Sequence, residues 1–287
     1  MNEWGQLGTL PHSLNYDWGT SLYPMWGYPA WLEVFGTSRV PQVALFAIML
    51  LVTYRTFRFE WWHIPLWFPS FVSVYALWSD ALATSLLLGV FAYQHKAPIV
   101  SAIFLGLTAN VRFEYLMFAP VLKKYGLIVL LMLGPWFARS YFISGSIGGS
   151  TNGGHVAFIS LGQLPNNPWG IQHLDEFGYA QSKHKAFSAE YDREMRGKFM
   201  EAIVTHPLAY VTKVLHNAVV TFTHGVYTGG ILKYMYAMTV VGLLVWHLLN
   251  RKPISAFFWI KVALMCLLQT EPRHLNAVIP LLFLEER

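Results

Sequence analysis

Apolar residues in this chain come in runs, and short polar or basic stretches divide them. The pattern predicts a first membrane segment over 40–53, closed by Arg55 and Arg58. A second run over 61–78 carries Pro65 and Pro69. These predict kinks, because proline withholds an amide from the helix ladder. Ser79-Asp80 then predicts a helix start, continuing to 93. Such side chains accept from first-turn amides, and the acid suits the positive end of the helix dipole. Further runs cover 97–109, 115–122, 126–142, 231–249, 253–268 and 275–284. The turns between them hold His95-Lys96, Lys123-Lys124 and Arg251-Lys252. Alternating crossings place these bases, with Arg55 and Arg58, on one side, as the positive-inside rule requires. The final run is shorter than the roughly 20 residues that a perpendicular crossing needs.

Two stretches break this rhythm. Residues 1–38 mix Gly, Pro, Trp and Tyr with three acids, and no base precedes Arg39. They read as an external loop with amphipathic pieces, and the absence of an apolar h-region argues against a cleavable signal peptide. Residues 144–206 hold six of the fifteen acids and five of the twenty bases, after a Gly/Ser/Asn run over 145–154. Within 187–204, Tyr191, Met195, Phe199 and Ile203 recur every four residues, which predicts a helix with one apolar stripe. Pro207 suits the first position of another helix. There Leu208, Val211, Leu215, Val219 and Phe222 form a second stripe, expected on or in the outer leaflet or in a true span. The organisation read from this is a first external loop (1–38), an N-terminal transmembrane bundle (39–143), an external loop with amphipathic helices (144–230) and C-terminal transmembrane helices (231–287). The fold class is all-α: a polytopic membrane helical bundle of about eight to nine membrane segments.

Composition narrows the function classes. Of 287 residues, 55% are hydrophobic and 12% charged, against about 25% charged in ordinary soluble domains. The net charge of +5 does not gather in one basic stripe, which argues against nucleic acid as a partner. Cys266 is the only cysteine, so an intrachain disulfide and a cysteine-based zinc site are excluded. The eleven His show no compact ligand spacing. No metal and no cofactor is expected.

The same alternation gathers other groups opposite the basic turns. They are Glu3, Asp17, Asp80, Arg112 with Glu114, Arg139, Asn152 with His155, and Arg273 with His274. Arg112 and Glu114 interrupt an apolar stretch, where ionisable groups are expensive and are usually paired or functional. A structural ion pair and a binding site are both open for them.

Seven segments resemble the integral-membrane GT-C glycosyltransferase superfamily, in the branch of protein O-mannosyltransferases and aminoarabinose transferases. They are Gly27-Tyr-Pro-Ala-Trp-Leu, Ser79-Asp-Ala-Leu, Gly106-Leu-Thr-Ala-Asn-Val-Arg-Phe-Glu, Pro135-Trp-Phe-Ala-Arg-Ser-Tyr, Ser150-Thr-Asn-Gly-Gly, His206-Pro-Leu-Ala-Tyr and Pro272-Arg-His. They follow the family's order over most of the chain. Phe113 stands where the family's pattern has a proline. The helix that usually precedes the first external loop has no counterpart here, and the chain reads as short at both ends.

The resemblance implies transfer of a sugar, with inversion, from a polyprenyl-phosphate donor to an acceptor (protein, lipid or glycan) at the periplasmic, extracellular or lumenal face. It implies a first-loop carboxylate as general base, which Asp17 or Glu3 would supply. It implies basic and polar groups on the donor phosphate and acceptor, for which Arg112, Glu114, Arg139, Asn152, His155, Arg273 and His274 stand as candidates. Transport or flipping of a lipid-linked substrate is an alternative, as is an inactive subunit of a membrane glycosylation complex.

Overall fold

A computed structural model describes residues 27–36, 38–58, 60–61, 63, 67, 79–145, 147, 151–223, 231–250, 254–268 and 277–284. Most of these are helical, with no strand among the described residues. Eleven α-helices follow in order: α1 (Gly27–Phe35), α2 (Val40–Thr56), α3 (Ser79–Tyr93), α4 (Pro98–Val111), α5 (Gly126–Ser144), α6 (Gly153–Ser160), α7 (Asp175–Ala180), α8 (Ala189–Thr205), α9 (Pro207–Thr223), α10 (Ile231–Leu249) and α11 (Ala256–Leu267). The apolar runs over 40–53, 79–93, 97–109, 126–142, 231–249 and 253–268 therefore become helices close to their expected bounds. The 61–78 run lies almost wholly outside the described residues.

Side-chain bonds fix how the helices run. Thr56 Oγ1 donates to Ala92 O at 3.3 Å, so the C-terminal ends of α2 and α3 adjoin. Ser101 Oγ donates to Val90 O at 2.9 Å, which sets α4 antiparallel to α3. Arg55, Lys96 and the Lys123–Lys124 turn thus gather at one end of this bundle. Asp80 and Arg112 lie at the other. The helix α3 is buried on every face except at its C-terminal residue, which explains why it shows no amphipathic stripe.

Phe113–Ser144 is long and apolar enough to cross a membrane, yet it is not one rod. Its first part, Phe113–Tyr125, is a 3₁₀ helix, far longer than the few residues usual for that geometry. Lys123 takes φ 54° and ψ −128°, and the chain folds back there. A Cβ at Gly126 would lie 2.5 Å from the Ala119 carbonyl oxygen, a contact that a continuous helix would not make. The crossing-length part is α5, whose 19 residues extend about 28 Å at 1.5 Å per residue. The helices α3, α4 and α11 are apolar but shorter.

Of the last run, 275–284, residues 277–284 are described. Its described residues form a turn and a 3₁₀ helix, Ile279–Leu282, buried in the bundle. His247 Nε2 of α10 donates to Leu282 O at 2.7 Å, and Phe283 packs on His63 and Trp67.

The 144–206 stretch builds its own small core from Phe158, Ile159, Leu161, Ile171, Tyr191, Met195 and Ala202. Ser188 caps α8 by accepting from the Tyr191 amide at 3.2 Å. Tyr191 and Met195 of the expected stripe fill this core, while Phe199 packs on its edge.

The helix α9 is inverted relative to a soluble one. Its apolar Leu208, Val211, Leu215 and Val219 are more than half exposed, whereas Lys213, Asn217 and Thr221 are buried. The polar stripe faces α11. Lys213 Nζ donates to Leu267 O at 3.0 Å and also to Leu268 O, and Asn217 Nδ2 donates to Cys266 O at 3.2 Å. These bonds satisfy carbonyls that a helix C-terminus leaves open. They also set α9 alongside α11.

Candidate functional site

The densest charged cluster forms where α3, α4, the 3₁₀ helix and α11 meet. The sequence ends α4 at Val111 and holds Arg112 extended, with φ −141° and ψ 109°. From there the guanidinium reaches back across the N-terminus of α3. Its Nη1 lies 3.0 Å from Asp80 Oδ1 and donates to Ser79 Oγ at 3.1 Å. Its Nε lies 3.5 Å from Glu114 Oε1. The same Glu114 oxygen accepts a hydrogen bond from Lys261 Nζ. Two cations and two carboxylates therefore alternate as Asp80, Arg112, Glu114 and Lys261. The Lys261 ammonium also sits 4.7 Å from the centre of the Tyr115 ring. Tyr115 Oη is buried with no hydrogen-bond partner among the described residues.

Depth differs around this quartet. Asp80 and Lys261 side chains are 3% and 2% exposed, Arg112 is 16% exposed and Glu114 is 32% exposed. Buried charges persist only when paired and hydrogen-bonded, and each of these has an opposite charge in reach. The chain before the cluster is also tied to it. A Cβ on Gly27 would lie 2.6 Å from Asn110 O, so only glycine lets α1 start against the end of α4.

A second polar cluster holds the 144–206 unit together. His155 of α6 is buried, and both ring nitrogens are engaged. Nδ1 lies 2.5 Å from the Tyr191 hydroxyl and Nε2 lies 3.1 Å from Asp175 Oδ1, with Tyr179 stacked at 4.7 Å. Burial, together with nearby Tyr179 and acids, pushes the Tyr191 phenol well above its ordinary range. A phenol donating to Nδ1 leaves Nε2–H to donate to Asp175. That bond is the main reason the Asp175 carboxyl sits below the usual carboxylate range. Burial and the Asp175 and Glu176 charges push Tyr179 up to about 12. Beside this cluster the Gly154 amide donates to Asp192 Oδ1 at 2.6 Å, and Arg196 Nε donates to Asp192 Oδ2 at 2.7 Å.

The sequence-derived site residues are thus divided. Arg112 and Glu114 meet directly, and Asp80 joins them. His155 lies inside the 144–206 unit with both nitrogens on protein groups. Asn152 stands at the N-cap of α6, its carbonyl accepting from the Val156 amide at 3.0 Å. Arg139 lies on α5 with its guanidinium carbon 5.2 Å from the Trp136 ring centre. Glu3, Asp17, Arg273 and His274 lie outside the described residues. Among the described residues, no group of three or more His, Cys, Asp and Glu is placed to hold a metal ion.

Sequence reasoning did not single out Lys261 or Tyr115. The signal for Lys261 was present: it is the only charged residue of α11, an otherwise apolar helix. A lone charge in such a run marks a partner elsewhere. Tyr115 gave no such signal among so many aromatics.

No protein-family model, curated protein or solved structure matches this chain.

Proposed function

We propose that this chain is a multi-pass membrane glycosyltransferase that moves a sugar, with inversion, from a polyprenyl-phosphate donor to an acceptor at the non-cytoplasmic face. One observation supports the reading above others. Three segments that carry the family resemblance, far apart in sequence, converge at one end of the bundle. Gly27 abuts Asn110, and Ser79-Asp80 binds Arg112, which neighbours Glu114. A convergence of this kind suits an active site, because ionisable groups in an apolar bundle are expensive and are usually paired or functional.

The membrane reading draws on two further features. The basic turns at Arg55, Lys96 and Lys123–Lys124 lie at the opposite end from the quartet, which suits the cytoplasmic side. The outward faces of α5, α9 and α10 are apolar, with Leu127, Leu131, Leu208, Leu215, Met238 and Leu248 exposed. Eight to nine segments in or across the bilayer would give these faces their solvent.

In this reading a first-loop carboxylate, Asp17 or Glu3, takes the proton of the acceptor hydroxyl. The acceptor oxygen attacks the anomeric carbon, and the bond from that carbon to the phosphate oxygen breaks. Negative charge grows on the leaving phosphate, where Arg112 offers a planar fork of donors. The two halves of this step are separable by mutation. Asp17→Asn, Glu3→Gln and the double variant are assayed for sugar transfer from a polyprenyl-phosphate donor. Loss in one single variant and in the double supports the base assignment, and full activity in all three removes it. Donor movement across the bilayer with no bond cleavage would replace transfer by transport.

A further inference from the structure

We infer that Glu114 is an internal occupant of a phosphate site formed by Arg112 and Lys261, and that it swings out when the lipid phosphate binds. The inference rests on the proposed use of a lipid-phosphate donor and adds the second cation and the gate. Its basis is the position of one oxygen. Glu114 Oε1 takes a hydrogen bond from Lys261 Nζ and lies 3.5 Å from Arg112 Nε. A single anionic oxygen therefore bridges an ammonium and a guanidinium, which is how a phosphate oxygen would bridge them.

The four groups differ in exposure. Asp80 and Lys261 are enclosed at 3% and 2% exposure, whereas Glu114 is 32% exposed. Only Glu114 has both the bridging oxygen and a path to water. Its carboxylate can rotate outward and stay solvated, so the exchange costs it little desolvation. The incoming phosphate then inherits two desolvated cations. Asp80 stays on Arg112 and keeps the guanidinium aimed, which makes Asp80 a positioning residue. Tyr115 Oη, buried without a partner beside Lys261, is a further donor available to an oxygen entering there.

Charge supports the same cycle. The four described groups are two cations and two carboxylates. A sugar-linked phosphate diester carries one negative charge and replaces Glu114 one for one. The product monoester carries more and binds more tightly, and the returning Glu114 carboxylate competes with it. Glu114 thus speeds release of the polyprenyl phosphate, a step that commonly limits turnover.

The test uses the full chain in nanodiscs and three probes: farnesyl phosphate, farnesol and inorganic phosphate. Binding is measured for the wild type, Glu114→Gln, Glu114→Asp and Lys261→Met, with thermal unfolding run on each. Glu114→Gln is expected to bind farnesyl phosphate at least tenfold more tightly than wild type. Glu114→Asp, with its carboxylate drawn back by one methylene, should shift the same way by less. Lys261→Met should bind at least tenfold more weakly, and farnesol should be unaffected throughout. Inorganic phosphate following the same pattern at equal affinity would assign the site to free phosphate instead of a lipid headgroup and overturn the lipid part. Unchanged or weaker farnesyl phosphate binding in both Glu114 variants overturns the inference, and so does a parallel change with farnesol. Should Glu114→Gln fail to fold, Glu114→Asp decides alone. No sugar transfer enters this measurement. The predicted pattern without any transferase activity would remove the glycosyltransferase reading and leave the phosphate site standing.

Discussion

The Arg112 guanidinium, at the end of α4, lies 3.0 Å from the Asp80 carboxylate in the first turn of α3. The pair joins two antiparallel helices where both side chains are largely enclosed. Removing one member leaves the other charged and enclosed, which typically costs about 3–5 kcal/mol. Asp80→Ala is expected near the lower end, because Glu114 still faces Arg112. The double variant Asp80→Ala with Arg112→Met should lose less than the two single losses added. Denaturant unfolding of the four proteins checks this. Strictly additive losses would contradict the coupling.

The His155–Tyr191 bond gives a second expectation. Tyr191→Phe strips Nδ1 of its partner inside a buried cluster, and an unmet buried polar group costs about 1–3 kcal/mol. The loss should stay local. Hydrogen exchange should rise across 151–205 and stay unchanged in α3 and α4.

Acid should loosen the same unit. Asp175 has a folded-state pKa depressed chiefly by the bond from His155. A depressed carboxylate contributes stability that is present above its unfolded pKa, about 3.9, and that is lost as pH falls through the lower folded value. The Asp175 side chain is half exposed, so solvent limits the effect to at most about 1 kcal/mol. Exchange in 151–205 is expected to accelerate below about pH 4. Asp175→Asn should remove that pH dependence.

Gly154 sits where no side chain fits. A Cβ there would lie 2.3 Å from the Asp192 carbonyl oxygen and 2.9 Å from the Arg196 amide nitrogen. Gly154→Ala must push α6 from α8 and stretch the bond to Asp192, costing about 1–3 kcal/mol. Differential scanning calorimetry should show a lowered transition that Asp192→Asn lowers less.

On the proposed membrane reading, the exposed apolar stripe of α9 faces lipid. Spin labels at Leu215→Cys, with Cys266→Ser to remove the native thiol, should be reached by oxygen and shielded from an aqueous nickel chelate. A water-exposed label at 215 would contradict a lipid-facing stripe.

Much of the fold was legible in the sequence because a helix needs only its own residues. The bounds of α3, α5, α9 and α10 followed from apolar runs, Ser79-Asp80, Pro207 and the basic turns. For α9 the apolar stripe was legible and expected in or on the outer leaflet, but the buried polar stripe opposite it was not. Leu208, Val211, Leu215 and Val219 look the same whether they face a core or a lipid. Only the bonds from Lys213 and Asn217 to α11 show which side is inward. The reversal at Lys123 was visible as a pair of lysines, but the long 3₁₀ helix before it was not. The short helix α6 hid behind its glycines, which serve close packing on Asp192 instead of a flexible turn. In the quartet, Arg112 and Glu114 could be found as charges in an apolar stretch, whereas the pairing of Glu114 with Lys261 joins residues 147 positions apart. No local pattern encodes that contact.

The central claim is that this chain cleaves a polyprenyl-phosphate sugar, and one measurement tests it most directly. The purified full chain in nanodiscs is given a polyprenyl-phosphate donor labelled in both the sugar and the lipid. Free polyprenyl phosphate should accumulate in step with transferred sugar of inverted anomeric configuration, and Arg112→Ala should abolish both. An intact donor, in the presence of acceptor peptides, lipids and glycans alike, would contradict the claim.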